Sequence, residues 1–218
     1  MTMSKPDARE NRWEPTERWE RRYQEVLDAA AIEFADKGYL GASTKNIADR
    51  LSIRQASLYY YLPSKEAALA AVCERGVRAF IGNLRSILES KEAPIAGRIQ
   101  AAVANHLRPL AEQPYADYIR VFLRHRHELP PEPRAVVARL AREYQGLIEQ
   151  LFKDGVARGE LRADLDTHLA TLAFLGLCNS VISNRSLPQS STIDQIIDEY
   201  AGILSKGMLQ ADTRQRRK

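Results

Sequence analysis

Arginine, glutamine, serine, tyrosine and lysine side chains follow one another closely between positions 44 and 65. Arg54 could pair with the N7 and O6 atoms of guanine, and Gln55 with the N6 and N7 atoms of adenine. Ser57 lies near them, and Ala56 is small enough to allow close approach. The side chains that could meet phosphates belong to Thr44, Lys45, Tyr59, Tyr60 and Lys65. The segment therefore combines groups that could read bases with groups that could hold a DNA backbone.

The local charge favours the same chemistry. The charged residues from 44 to 65 are Lys45, Arg50, Arg54 and Lys65 against Asp49 alone. Residues 1–43, in contrast, hold seven basic and nine acidic residues, and the whole chain carries a net charge of only +4. Positive charge is thus concentrated where nucleic acid would bind. Two alternatives remain open at this stage: Tyr59 as a core aromatic residue and Arg54 as a solvated charge.

Two short helices are predicted to position these side chains. Thr44 is predicted to cap the first, because its hydroxyl can accept from the free N–H groups of the first turn. One face of that helix is apolar, with Ile47, Ala48 and Leu51 at helical spacing. The second helix is predicted from about Arg54 to Leu62, with Leu58 and Leu62 turned inward. The segment 43–62 therefore reads as a helix-turn-helix.

Local sequence signals also predict where the neighbouring helices begin and end. Pro63 should end the second helix, and Ser64 should cap a third that begins at Lys65. Upstream, Thr16 is the predicted cap of a longer helix, and Gly38 supplies a left-handed stop for it. The helix from Lys65 keeps one apolar stripe to Leu88, long enough to link this region to a second domain as one rod.

The order of these residues resembles the N-terminal signature of the TetR family of transcriptional regulators. The residues that carry the resemblance are Thr44, Ile47, Ala48, Ile53, Ser57, Leu58, Tyr59, Tyr60, Pro63, Ser64, Lys65 and Glu66, with Ala29, Ala30, Phe34, Gly38 and Tyr39 upstream. The resemblance implies an all-α homodimer in which a second domain binds a small effector and lowers the affinity for operator DNA. Ser52, Arg54 and Leu62 depart from the usual glycine, capping residue and phenylalanine.

The predicted fold is all-α, with an N-terminal three-helix helix-turn-helix DNA-binding domain followed by a larger helical domain for ligand binding and dimerisation. Residues 1–15 are polar and form a predicted flexible arm, residues 16–68 the DNA-binding domain and residues 69–218 the second domain. Further helices are predicted at 96–112, 115–127, 134–158, 164–184 and 192–209. Trp13 and Trp19 are predicted to pack on the DNA-binding domain, with an arm that touches DNA as the alternative. The basic tail 214–218 is predicted to be solvated, with a phosphate contact as the alternative.

Composition and cysteine usage favour a cytoplasmic protein. Hydrophobic residues make up 44% and charged residues 28% of the chain, as in ordinary globular proteins. Cys73 and Cys178 lie in apolar helical patterns and are predicted to be reduced core thiols. The N-terminus lacks an apolar signal-peptide core, and the most apolar run, residues 169–178, is too short to span a bilayer. No membrane partner is therefore expected.

The last two helices are apolar over a wide arc. A helix that packs on one face does not need so many apolar residues, so a two-fold, four-helix interface between subunits is predicted. Its predicted residues are Leu169, Leu172, Leu175, Ile193, Ile197, Tyr200 and Leu204. The alternative is a pair of internal helices in a monomer.

A ligand pocket is predicted inside the second domain. Aromatic and polar side chains that could line it are His106, Tyr115, Tyr118, Phe122, Tyr144, Phe174 and Asn179. The segment 155–184 resembles TetR regulators of fatty-acid or sterol breakdown that respond to acyl-CoA thioesters. If the effector is an acyl-CoA, Arg120, Arg124 or Arg185 could bind its phosphates.

The expected function is that of a ligand-responsive repressor, which binds a palindromic operator as a homodimer and is released by a small, apolar or acyl-CoA-type effector. A transcriptional activator of the same fold and a helical protein-binding adaptor are the alternatives. An enzyme is not expected, since no catalytic constellation or phosphate loop occurs. His125 and His127 point apart on a helix, so no metal and no cofactor are predicted.

Overall fold

The computed structural model describes residues 16–183 and 191–209. The predicted N-terminal arm with Trp13, the residues around Arg185 and the basic tail lie outside the described residues. Nine α-helices occur in the described part: α1 Glu17–Gly41, α2 Thr44–Arg50, α3 Gln55–Tyr59, α4 Lys65–Glu89, α5 Ile95–Leu107, α6 Tyr115–His125, α7 Pro131–Ala157, α8 Thr167–Ser183 and α9 Ile193–Met208. Short 3₁₀ helices, Arg108–Ala111 and Arg126–Glu128, follow α5 and α6. The all-α prediction is confirmed.

The predicted helix caps are confirmed at two of three positions. Thr16 Oγ1 accepts from the Trp19 N–H at the start of α1, and Ser64 Oγ accepts from the Ala67 N–H at the start of α4. The prediction for α2 was wrong, since Ser43 is its N-cap and accepts from the Asn46 N–H at 3.1 Å. Ser43 has an extended backbone and Thr44 is already helical, so the cap lies one residue earlier.

Helix α3 is shorter than the predicted second helix of the helix-turn-helix. It ends at Tyr59, and the following turn continues through hydrogen bonds from the N–H groups of Tyr61 and Leu62 to the Leu58 carbonyl. Arg54 takes the N-cap position without a side-chain hydrogen bond. A helix of this length has little stability of its own, so tertiary packing must hold it. Leu58 and Leu62 supply that packing, because both are buried in the head.

Helices α1, α2 and α3 form the head around a core that contains Phe34, Ile47 and Leu58, all fully buried. The carboxylate of Glu33 is also buried, and it pairs with Lys37 at 2.7 Å and with Arg50 at 3.3 Å. Because a buried charge needs partners, this ion-pair cluster ties α1 to α2. These cations hold the pKa of Glu33 below its usual range although burial opposes the shift.

Helix α4 runs from the head into the helical bundle and packs there against α6 and α7. Gly76 marks its crossing with α6, since a Cβ atom there would lie 2.8 Å from the Tyr118 carbonyl oxygen. The far end of α4 is fixed by the buried Arg98 guanidinium, which donates to the carbonyls of Ile87 and Leu88. Both ends of this helix are therefore held, one by the head and one by the bundle.

Helices α8 and α9 keep part of their apolar surface exposed. Leu169 and Leu172 of α8 are 61% and 46% exposed, and Ile203 of α9 is 51% exposed. Ile197 and Leu204, which were predicted at the subunit interface, are instead buried in the subunit's own core, where α9 packs against α5. Leu175, Ile193 and Tyr200 are half-buried. The apolar arc is thus divided between an inner and an outer face.

Candidate DNA-binding surface and ligand cavity

Helix α3 presents a continuous polar surface at one end of the molecule. Gln55, Ala56 and Ser57 are exposed, as is Arg54 immediately before them. Tyr59 and Tyr60 are 44% and 65% exposed, which excludes the alternative of Tyr59 as a core residue. Lys45 is also exposed. The predicted base-reading residues, and Lys45, Tyr59 and Tyr60 among the predicted phosphate contacts, are therefore exposed on the head.

Three of these residues are joined by hydrogen bonds. Gln55 Nε2 donates to Thr44 Oγ1 at 2.8 Å and to the Tyr59 hydroxyl at 3.1 Å, and these two hydroxyl oxygens are 3.2 Å apart. The Gln55 side chain is therefore oriented before any ligand is bound. To pair with adenine, the Gln55 amide must leave these two hydroxyl acceptors and bond to the base edge instead.

Lys65, a predicted phosphate contact at the start of α4, has contacts with α1. Its Nζ atom is 4.5 Å from the centroid of the Tyr39 ring and 3.5 Å from the Leu40 carbonyl oxygen. A cation held over an aromatic face is partly ordered in advance. The ammonium group is therefore held between the start of α4 and the last turn of α1.

A basic groove beside α3 was missed from the sequence. It has a volume of about 810 Å³, and its lining includes Arg18, Arg21 and Arg22 of α1 with Tyr60 and Tyr61. Trp19 packs on the head as predicted, with its ring 5.0 Å from that of Tyr23 and 5.8 Å from that of Tyr61. Only the joint placement of α1 and α3 reveals this groove, since the residues are far apart in sequence.

A cavity of about 210 Å³ lies inside the second domain between α4, α6, α7 and α8, with His106 of α5 at its floor. The lining residues are Val77, Phe80, His106, Phe122, Leu123, Arg126, Ala141, Arg142, Tyr144, Gln145, Leu175 and Asn179. Four residues predicted from the sequence, His106, Phe122, Tyr144 and Asn179, are thus brought together. Phe174 is fully buried behind them and contacts the His106 ring edge-to-face at 6.0 Å. Tyr115 is not among the lining residues.

Hydrogen bonds link the polar residues at the floor of the cavity. His106 Nδ1 is 2.9 Å from the Tyr144 hydroxyl, and His106 Nε2 is 3.1 Å from Asn179 Oδ1. Phe80 of α4 stacks on the His106 ring at 4.7 Å. Burial lowers the pKa of His106 to about 4 and raises that of Tyr144 well above its ordinary value. The floor is therefore uncharged near neutral pH.

The positive charge at the cavity comes from residues that the sequence did not single out. Arg126 and Arg142 line it and are exposed, and the Arg126 guanidinium lies 5.0 Å from the centroid of the Phe122 ring. Arg120, which was predicted to bind phosphate, is paired with Asp117 at 2.6 Å, and Arg124 does not line the cavity. Helical spacing alone could not show which arginines face this space.

Tyr118 was predicted to line the pocket, but the structure places it against the head. Its hydroxyl donates to Asp28 Oδ1 at 2.6 Å and accepts from Gln24 Nε2 at 3.0 Å. Burial and then the neighbouring Asp28 raise the pKa of Tyr118. Helix α6 therefore contacts the cavity through Phe122 and holds α1 through Tyr118.

The described residues were also predicted to hold no metal site and to keep both cysteines reduced. No group of three potential metal-ligating side chains occurs there, and His125 lies near Glu128 and Gly38 rather than His127. Cys73 and Cys178 are buried free thiols, as predicted. None of the described helices has the length and apolar composition needed to cross a bilayer.

Comparison with known proteins gives matches over both parts of the chain. Residues 26–72 match the family described as "Bacterial regulatory proteins, tetR family", and residues 92–208 match "Tetracyclin repressor-like, C-terminal domain". The HTH-type transcriptional repressor KstR2 of Rhodococcus jostii (strain RHA1) is 28% identical over 86% of this chain and 91% of that protein. The fatty acid metabolism regulator protein of Bacillus subtilis (strain 168) is 22% identical over 74% of this chain and 82% of its own.

A solved structure with the same fold is that of AibR in complex with isovaleryl coenzyme A and operator DNA. It superposes with a TM-score of 0.73 at 25% identity, over 84% of this chain and 97% of that one. Family members regulate transcription rather than catalyse a reaction, which confirms the prediction of a non-enzymatic protein. The two family matches, the exposed recognition helix and the helical second domain agree, and the chain belongs to the TetR family of transcriptional regulators.

Proposed function

We propose that this protein is a ligand-responsive repressor that binds a palindromic operator as a homodimer and is released by an acyl-CoA-type effector. The observation that carries the proposal is that α4 and α6 each contact both the cavity and the head. A repressor acts on the chromosome, so the cytoplasm is its proposed location. The name of the relative KstR2, a transcriptional repressor, supports repression as the direction of regulation.

Operator recognition would use the exposed surface of α3. Arg54 and Gln55 would contact base edges, with Ala56 and Ser57 allowing close approach. Phosphates would be bound by Thr44, Lys45, Tyr59, Tyr60 and Lys65. Arg18 and Arg21 extend the positive surface along α1, where the groove brings them beside Tyr60.

Dimerisation would use the outer faces of α8 and α9. Leu169, Leu172 and Ile203 are large apolar side chains that remain exposed in the single chain, and Leu175, Ile193 and Tyr200 border them. Two copies related by a two-fold axis would cover these faces in a four-helix interface. The heads would then meet successive major grooves, roughly 34 Å apart.

The effector would enter between α6 and α7. Its acyl group would occupy the apolar part of the cavity, which Val77, Phe80 and Leu123 line, and Arg126 and Arg142 would meet the CoA phosphates at the rim. The AibR structure, which contains both isovaleryl coenzyme A and operator DNA, supports this class of effector.

Release from DNA would be a population shift. Phe80 of α4 and Phe122 of α6 line the cavity. A ligand that separates or rotates these two helices would therefore also move the head, which both helices contact. The hydrogen bond from the Tyr118 hydroxyl to Asp28 connects α6 to α1. Helix α4 is the next helix after α3 in the chain, so its movement also reaches α3. The distance between the two α3 helices of a dimer would change, and they could no longer contact both operator half-sites at the same time.

A gel-shift experiment tests the proposal. A DNA fragment from upstream of the protein's own coding sequence should be shifted by the parent protein and by Arg78→Ala, an exposed arginine on α4 that pairs with Glu74. The double variant Arg54→Ala/Gln55→Ala should bind much more weakly. Addition of acyl-CoA thioesters should release the parent from the fragment.

Equal binding by the double variant and the parent would contradict the proposed reading surface. Transcription in vitro from the same fragment separates repression from activation. If no DNA is bound and the protein instead captures another protein, the adaptor alternative is correct.

A further inference from the structure

The cavity has a small volume and an uncharged interior. Its 210 Å³ corresponds to about seven non-hydrogen atoms, taking roughly 30 Å³ for each water-sized group. Both charged side chains of its lining, Arg126 and Arg142, are exposed, whereas the polar residues His106 and Tyr144 are buried and Asn179 is half-buried. A buried carboxylate would therefore meet no cation at the floor and would pay a desolvation penalty there.

The floor residues form a hydrogen-bond chain with a defined direction. Asn179 Oδ1 can only accept a hydrogen bond, so the hydrogen of the neutral His106 ring lies on Nε2. Tyr144 O–H then donates to His106 Nδ1, and His106 Nε2–H donates to Asn179 Oδ1. Because neutral histidine has one N–H, His106 Nδ1 is then the acceptor and this direction follows.

The hydrogen-bond chain ends at the cavity with the side-chain NH2 group of Asn179, which is a donor. Asn179 Oδ1 is occupied by His106, so the NH2 group is the part of this amide that is available to a ligand. Among the described residues the structure shows no partner for that NH2 group. Asn179 is half-buried and lines the cavity, where an unbonded donor favours an acceptor on the ligand.

We infer that the cavity selects short-chain acyl thioesters, with Asn179 donating to the thioester carbonyl oxygen and the walls limiting the acyl group to about seven non-hydrogen atoms. This inference rests on the proposed acyl-CoA response and specifies which members of that class act. His106 and Tyr144 are positioning residues, because they fix the orientation of the Asn179 amide without contacting the acyl group's carbonyl.

The size limit is tested by release of operator DNA with a series of probes. Isovaleryl-CoA and hexanoyl-CoA should release the parent protein at the lowest concentrations, and palmitoyl-CoA should require at least tenfold more. Free isovalerate should fail, because its carboxylate would be buried beside neutral groups. Titration calorimetry with the same compounds provides a readout that does not depend on DNA.

The carbonyl contact is tested by Asn179→Leu, which keeps the side-chain size and removes the amide. The concentration of isovaleryl-CoA that gives half-release should rise about tenfold, as expected for a lost hydrogen bond in a buried site. Asn83→Leu is the matched control, since Asn83 lines a separate groove between α4 and α5. Leu123→Ala enlarges the cavity and should bring octanoyl-CoA closer to isovaleryl-CoA in potency.

The outcomes separate this inference from the proposed function. If palmitoyl-CoA acts at the same or lower concentration than isovaleryl-CoA, the size limit is wrong and the acyl-CoA response stands. If Asn179→Leu responds like Asn83→Leu, Asn179 does not bind the carbonyl. If no thioester of any length binds or releases DNA, both the effector proposal and this inference are wrong.

Discussion

Replacing Ser52 by glycine should stabilise the head. Ser52 has a φ of 53°, and it is the only non-glycine residue with a positive φ in the described part of the chain. It ends α2 in a Schellman motif, in which the Ser52 N–H donates to the Asp49 carbonyl and the Ile53 N–H to the Ala48 carbonyl. This position is in the left-handed region, where the serine Cβ crowds the backbone.

Two opposing effects determine how much Ser52→Gly changes the free energy of unfolding. A left-handed conformation costs an L-residue roughly 1–2 kcal/mol, and glycine does not pay this cost. Glycine loses more backbone entropy on folding, at a cost of about 0.5–1 kcal/mol. Ser52→Gly should therefore raise the free energy of unfolding by about 0.5–1 kcal/mol, which corresponds to roughly 1–4 °C in Tm for a chain of this length.

The end of helix α7 offers a control in which the opposite substitution is made at an equivalent position. It ends in the same motif, with Gly159 at a φ of 69° and N–H groups of Gly159 and Glu160 donating to the carbonyls of Val156 and Gly155. A Cβ at Gly159 would meet no other atom within 4 Å, so Gly159→Ala changes only the backbone preference. It should lower Tm by a similar amount.

Thermal unfolding followed by circular dichroism provides the measurement. Ser52→Ala keeps a Cβ and should show no gain, which separates the backbone effect from loss of the serine hydroxyl. A lower Tm for Ser52→Gly, or an equal gain in Ser52→Ala, would refute the argument from the left-handed backbone.

Five other substitutions test different parts of the molecule. Lys65→Ala should weaken binding to all DNA sequences and flatten the dependence of log affinity on log salt by about one, whereas Gln55→Ala should relax preference at one base pair, both measured by gel-shift salt series. Burial lowers the pKa of His106 to about 4, against 6.5 ordinarily, so between these pH values only the unfolded chain binds the proton. The contribution of neutral His106 to the free energy of unfolding is therefore complete above pH 6.5 and is lost as the pH falls towards 4. Urea unfolding should show a loss of about 3 kcal/mol over that range, and His106→Gln should largely abolish it. Tyr118→Phe removes the bond to Asp28, so calorimetry should show effector binding retained while gel shifts show weaker release. Leu172→Arg puts a charge on the exposed face of α8 and should give a monomer by sedimentation, with weaker operator binding.

Local sequence signals specified much of the fold. The side chains of Thr16 and Ser64, followed by helix-forming residues, identified the starts of α1 and α4, because a cap bonds only two or three residues ahead. Pro63 marked the end of the segment after α3 for an equally local reason. The exposed polar side of α3 could also be inferred, since Leu58 and Leu62 had to face inward.

The division of inner and outer faces required the folded structure. Ile197 and Ile203 are both apolar residues of α9, yet the first is buried against the bundle and the second is exposed. Composition does not distinguish them, because the wide apolar arc is compatible with several rotations of the helix. Only the packing of α9 against α5 fixes which side is inside.

The sequence by itself predicted the all-α fold, the exposed polar residues of α3 and four of the residues that line the cavity. The tertiary structure decided that Phe122 faces the cavity while Tyr118, one turn earlier, bonds to α1. It also decided that Arg126 and Arg142 supply the charge at the rim. The physical reason is range: caps and turns depend on neighbours within about four residues, whereas a cavity depends on how five helices distant in sequence pack together.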